Sequence, residues 1–385
     1  MFRGNISLLR LSFGAFIVAF HFYLIAYVNS ALIATRIGEG AISPLYMTEA
    51  SLVIILFLFA ARILRRIGAR WFLAIFIFLE GISLLTIAAV TSPLVTGIAF
   101  VVAMTSTYMI WFAMDIFIEH ATLCEGVTGK VRGTLLTFGN SALIVAPLVM
   151  ALVLHSTSYE TVYLLSAGLL FMFAAFILPL YGTFRDPEYI PATLASLKHA
   201  LIRHRDLLPT VGAQFMLSLF YSFAVIYMPL YLLDLGFSWT EVSIILTIAL
   251  LPFVLVEFPL GRMADKSIGE KEIMIAGFAI VIASTVFLSL PFAPSLVLYA
   301  LLFLTTRLGA AMVEITAETH FFREVEAKDG IVITLSRMMG AFGYLVGAGV
   351  GGLALSFVSL HEAFFFFGIV LLPGLYFASR IKDSR

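Results

Sequence analysis

Apolar residues follow one another in runs of about 20, each closed by a short cluster of charge, proline or glycine. Reading between these breaks gives runs at 10–34, 44–61, 71–91, 94–118, 133–155 and 160–182. A second set follows at 207–233, 240–260, 271–291, 295–318, 331–357 and 361–379. Each is about the length an α-helix needs to cross a hydrocarbon core roughly 30 Å thick. None shows the ten-residue alternation of an outer-membrane barrel strand. The pattern therefore predicts an all-α membrane protein with twelve transmembrane helices. The longest polar break, "YGTFRDPEYIPATLASLKHALIRHRD" over 181–206, separates six runs from six. It predicts an N-terminal six-helix bundle over 1–182, a linker over 183–206 and a C-terminal six-helix bundle over 207–385. Within the linker, "ATLASLKHALIRH" has the spacing of an amphipathic helix lying on the membrane surface.

Composition agrees with this pattern. Hydrophobic residues make up 62% of the chain and charged residues 12%, with a mean hydropathy of +1.07; soluble domains average about 45–50% and about 25%. The first run follows Arg3 and Arg10 and is too long for a signal-peptide core, so it reads as a retained span. Twenty of the 23 Lys and Arg residues fall in breaks on one side of the predicted bilayer, and only Arg36 falls in a break on the other. By the positive-inside rule both termini are expected in the cytoplasm, for a multi-pass protein of the plasma (inner) membrane. Trp71 and Trp239 sit at run ends, as interfacial aromatics do. The net charge is zero and the bases are dispersed, so nucleic acid is not an expected partner. The single cysteine, Cys124, rules out an internal disulfide and a thiol cluster for a metal. No metal or cofactor is expected.

The two sets of runs resemble each other. "MDIFIEHAT" aligns with "VEITAETHF", so that Asp115 meets Glu314 and Glu119 meets Glu318. "ARILRRIGARW" from Ala61 aligns with "GRMADKSIGEK" from Gly261. Internal repeats of this kind characterise many transporters. Gly261, Asp265, Lys266, Gly269 and Lys271 look like the loop signature of the major facilitator superfamily of secondary transporters, which the chain resembles over essentially its whole length. Two residues, Ser267 and Ile268, stand where the usual pattern has one. The first-half copy keeps Gly68 and Arg70 but has Ala61 for the glycine and Arg65 for the acid.

The resemblance implies a secondary transporter working by alternating access, with spans one, four, seven and ten around a central cavity. It also implies that the loop motif latches the cytoplasmic side. Gly261 would let helix ends approach, and Asp265 would accept from the amides of the helix starting after Gly269. The latch set comprises Arg62, Arg65, Arg66, Glu119, Arg132, Glu257, Gly261, Asp265, Lys266, Gly269, Glu314, Glu318 and Arg337. A solvated, orienting loop is the plainer reading of the bases.

Ionisable groups inside a bilayer are costly and each needs a reason. His21 and Arg307 lie near the midplane of spans one and ten, and Glu80 near that of span three. His21 reads as a proton-exchanging or substrate-contacting residue, or as a neutral histidine bonded between helices. Arg307 reads as a counter-charge for an anionic group or as half of a structural ion pair. Glu80 reads as structural or protonated, on a span that the resemblance places toward lipid. Arg307, Glu314 and Glu318 fall at i, i+7 and i+11, one helix face. Tyr27, Tyr108, Asp115, Gln214 and Tyr221 complete the candidate pathway on spans one, four and seven. In span eleven, Gly343, Gly347 and Gly351 form a smooth stripe for close helix contact.

No nucleotide-binding loop, "HExxH" or Gly-x-Ser-x-Gly is present, so ATP drive and enzyme activity are not expected. The reading is a proton-coupled transporter of a small organic solute, monomeric in the lipid bilayer. A drug/proton antiporter is one alternative. The glycine pattern of proton-driven exporters in span five is reduced here to Pro147. A transport-inactive receptor or scaffold is the other.

Overall fold

The computed structural model describes residues 8–125, 128–182, 184–191, 193–256, 259–260, 269–324 and 330–381. The described residues are helical with short connections and contain no strand. The helices are α1 (Leu8–Ala26), α2 (Asn29–Arg36), α3 (Ile42–Ala89), α4 (Pro93–Glu125), α5 (Thr128–Ser156), α6 (Tyr159–Met172) and α7 (Leu194–Arg203). They continue as α8 (Leu208–Ile226), α9 (Met228–Asp234), α10 (Trp239–Leu255), α11 (Glu270–Phe287), α12 (Leu296–Glu324), α13 (Gly330–Leu355), α14 (Leu360–Val370) and α15 (Leu372–Arg380). Among the described residues, each of the twelve apolar runs lies mostly on helix. By length and apolar composition, eight helical stretches among the described residues are able to cross a membrane. One of them, Glu39–Ala89, is interrupted by the non-helical Gly68, which separates the second run from the third.

Packing divides the chain into two compact units. The first holds residues 1–41 and 59–191, the second 42–58 and 192–385. The start of α3 joins the second unit because it is bonded there: Ser43 Oγ donates to the Ala348 carbonyl at 2.7 Å, and Met47 lies against Gly349.

The repeat seen in sequence recurs in the backbone. Helix α1 stops before Tyr27 and α8 stops before Tyr227. In the second case Pro229 lacks the amide that would carry the helix on. All positive-φ residues among the described ones are glycines, and they fall into two repeat-related pairs. Gly38 and Gly236 follow α2 and α9. Gly68 (φ 76°, ψ 160°) and Gly269 (φ 99°, ψ 157°) precede the helices of the third and ninth runs.

Within the second unit, α11 and α12 meet at Gly277 and Gly309; a Cβ on Gly309 would lie 2.6 Å from the Gly277 carbonyl oxygen. The stripe Gly343, Gly347 and Gly351 on α13 lies against Phe215, Ser218, Leu219, Ser222 and Tyr227. The linker's α7 does form, started by a Thr193/Ser196 capping box. It turns Ala200 into a small core with Leu207, Val211, Phe321 and Val332, and leaves Lys198, His199 and Arg203 exposed.

Candidate functional site

In the first unit the polar centre is built around His21. The ring is fully buried on α1, in reach of α3 and α6. Its Nδ1 lies 3.3 Å from Ser166 Oγ and 3.7 Å from Glu80 Oε1. Ser166 Oγ donates to the His21 carbonyl at 3.0 Å, and Thr107 Oγ1 lies 2.5 Å from Glu80 Oε1. Glu80 is itself completely buried. Sequence reasoning set it apart from His21, because span three is expected toward lipid. The signal available was its midplane depth, which it shares with His21. A second buried group lies nearby along α1–α2: Tyr163 Oη donates to Asn29 Oδ1 at 2.6 Å. Arg36 is fixed by Glu160 and by the Ile87 and Val90 carbonyls.

The second unit holds a charged strip on α12. Arg307 is 2% exposed. Its guanidinium carbon sits 5.5 Å from the Phe220 ring centroid and 5.9 Å from that of Tyr221, distances at which cation–π attraction operates. Its Nη2 approaches Met228 Sδ at 3.8 Å. Among the described residues, its Nε has no hydrogen-bond partner and the guanidinium makes no ion pair. Two turns on, Glu314 accepts from Tyr221 Oη. Arg307 and Glu314 thus both meet Tyr221, as the i, i+7 spacing requires. Glu314 also lies in the field of Glu318, Arg307 and Arg337. Gln214 Oε1 accepts from Ser336 Oγ at 2.7 Å, tying α8 to α13 beside this strip. Tyr27 is buried, and Tyr108 and Asp115 are half-buried on α4, all in the first unit.

The loop motif is only partly visible. Glu257, Gly261, Asp265 and Lys266 lie outside the described residues, and Glu119 and Arg132 are placed by backbone alone on α4 and α5. Gly269 opens α11, and the buried Glu270 beside it pairs with Arg323 at the end of α12.

In the first half the missing acid is replaced from elsewhere. Asp186, in the linker, accepts from the Ala69 amide at 2.7 Å, capping the helix that starts after Gly68. A Cβ on Gly68 would lie 2.6 Å from Asp186 Oδ2, so the glycine makes room as well as the turn. Tyr189 Oη donates to Asp186 Oδ1 at 2.6 Å, and Arg65 Nε donates to the Tyr189 carbonyl at 2.6 Å. Burial, and then Asp186, push the Tyr189 phenol above its ordinary range, so it stays a donor. Arg62 lies over Phe59, and Arg66 is exposed. Asp186→Ala is expected to cost ~1–2 kcal/mol, the usual loss of a helix cap, while Asp186→Asn keeps most of it. Thermal unfolding of the two purified variants checks this; equal melting temperatures for Asp186→Ala and wild type would remove the cap.

The family model described as Major Facilitator Superfamily matches residues 210–384. No curated protein matches the chain. Two solved structures of the nucleoside transporter NupG are similar over nearly the whole chain. One, of a point mutant, is 16% identical with a TM-score of 0.76, covering 97% of this chain and 100% of that one. The other is 17% identical with a TM-score of 0.68, covering 98% and 99%. At such identities the likeness speaks for the fold. Residues 210–384 thus match the Major Facilitator Superfamily model in sequence, the fold over nearly the whole chain is that of the similar solved structures, and the chain is a multi-pass integral membrane protein.

Proposed function

We propose that the chain is a secondary active transporter that moves a small organic solute by alternating access of two six-helix halves, using a proton gradient. Twelve crossings, with both termini cytoplasmic in the plasma (inner) membrane, complete this reading. The observation that carries it is Arg307: a buried guanidinium, flanked by two aromatic rings, with an Nε donor that has no partner among the described residues. A buried charge without a partner is expensive, and a solute with an acceptor atom would complete it. A flat ring carrying carbonyl or ring-nitrogen acceptors suits both features, since it stacks on Phe220 or Tyr221 and accepts from Arg307. Nucleosides have that chemistry, and the similar solved structures are of a nucleoside transporter. They therefore head the solutes to be tested.

The latch residues enter this reading as gates. Asp265 and Lys266 close the second half, while Asp186 serves the first. Glu314, with Tyr221 and Arg337, lies on the path between Arg307 and the base-bearing end of the second unit.

Purified protein in liposomes, with labelled nucleosides and other organic solutes inside or outside and an imposed pH gradient, tests the proposal. Saturable flux that follows the pH gradient is expected. Gradient-driven flux of drugs outward, with none of metabolites, would favour the antiporter reading. No flux across the panel would leave a receptor or scaffold.

A further inference from the structure

We propose that His21 and Glu80 form one proton-binding site, closed by Thr107 and Ser166, and that this site carries the coupling proton. The coupling clause rests on the transport reading above; the proton-binding clause does not.

The hydrogen bonds assign the atoms. Ser166 has one hydroxyl hydrogen, and it goes to the His21 carbonyl at 3.0 Å. Its oxygen is then an acceptor for His21 Nδ1 at 3.3 Å, so Nδ1 carries the ring proton. His21 Nε2 keeps its lone pair, is buried, and has no partner among the described residues. Thr107 likewise has one hydrogen and two oxygens in reach, the Ala103 carbonyl at 3.1 Å and Glu80 Oε1 at 2.5 Å. A protonated Glu80 donates to Thr107, which donates to Ala103, and all three oxygens are served. An ionised Glu80 takes the Thr107 hydrogen for itself and leaves Ala103 without it. Glu80 Oε2 is buried and unpartnered among the described residues, which suits a neutral acid better than an anion.

Charge counting gives the same result. With a neutral imidazole there is room for one proton on the carboxyl at no net charge, and the His21 Nδ1–H faces the same Glu80 Oε1 at 3.7 Å. Removing it leaves a buried anion; adding a second leaves a buried cation. Either is costly where both side chains are fully enclosed. Among the described residues, neither His21 nor Glu80 makes an ion pair other than the contact between them. The closed site therefore holds one proton, and releases it only when water reaches the pair.

Infrared spectroscopy of the purified full-length protein, without solute, tests the site. At neutral pH the wild type should show a carboxylic-acid C=O band that Glu80→Gln lacks. Thr107→Val keeps the carboxyl but removes its hydrogen-bond partner, so the band should move to higher frequency; this assigns it even if Glu80→Gln does not fold. An identical acid band in wild type and Glu80→Gln, or one unmoved by Thr107→Val, overturns the site. In liposomes, with any solute the wild type accumulates, Glu80→Gln should lose accumulation above the external concentration more severely than it loses exchange at equal pH. Unaltered pH-driven accumulation overturns the coupling role. A wild type that moves no solute overturns the transport reading, while the infrared result still decides whether the proton is bound.

Discussion

Arg307→Met is expected to stabilise the purified protein while abolishing solute movement. The two effects have opposite signs because they come from different partners. In the folded chain the guanidinium has lost its water, yet among the described residues it makes no ion pair and its Nε stays unbonded. Contacts with Phe220, Tyr221 and Met228 offset only part of that loss. Replacing even well-paired buried ions by apolar groups of similar volume is often neutral or stabilising by about 1–4 kcal/mol. Methionine fills a similar shape, so a higher melting temperature should follow. Solute recognition should fall by roughly 10–100-fold, the equivalent of a charged hydrogen bond worth about 1.5–3 kcal/mol. Arg307→Lys keeps the charge without the planar fork, and should recover little of the flux. Retained flux in Arg307→Met takes the residue off the solute path; a lower melting temperature means that the guanidinium has a structural partner.

Gly309→Val should prevent stable folding of the second unit. The α11–α12 crossing brings backbone against backbone: a Cβ on Gly309 would lie 2.6 Å from the Gly277 carbonyl oxygen and 2.9 Å from the Val281 amide nitrogen. Neither obstacle is a flexible side chain, so the helices must separate. Overpacking of a tight core typically costs 1–3 kcal/mol, and forcing two helices apart along their length stands at or beyond the upper end of that range, about 3 kcal/mol or more. Since Gly309 is two residues from Arg307, the same crossing fixes the direction in which the guanidinium points. Gly309→Ala adds the same Cβ and nothing beyond it, so it also shifts the helices but at a smaller cost, within the about 1–3 kcal/mol of overpacking, and should weaken solute binding. Size-exclusion profiles and melting curves of both variants check this, and a monodisperse, wild-type-like Gly309→Val would contradict the packing.

The helices were legible because lipid demands long apolar runs, and a run reports its own length. The repeat was legible too, from Asp115/Glu314 and from the two loop copies, and the backbone repeats it at Gly68 and Gly269. The glycine stripe on α13 showed which face would be smooth, though not that Ser218, Ser222 and Tyr227 would occupy it. Neighbours across the bundle were not legible. Helical spacing gives the face on which Glu80 lies, but not that α1 and α4 bring His21 and Thr107 to it. Asp186 escaped for a related reason. The repeat shows only that the loop acid is missing at Arg65, whereas the helix end accepts a carboxylate from any part of the chain that can reach it.

That linker carboxylate bears on how the gene can be divided. A cut at residue 182, where the polar break begins, would give the first half a polypeptide whose third-run helix starts bare at Ala69, with Asp186 left on the other fragment. A cut after Pro191, where packing ends the first unit, keeps Asp186, Tyr189 and Arg65 on one fragment. Co-expressed halves should therefore reassemble from the second pair of fragments and poorly from the first.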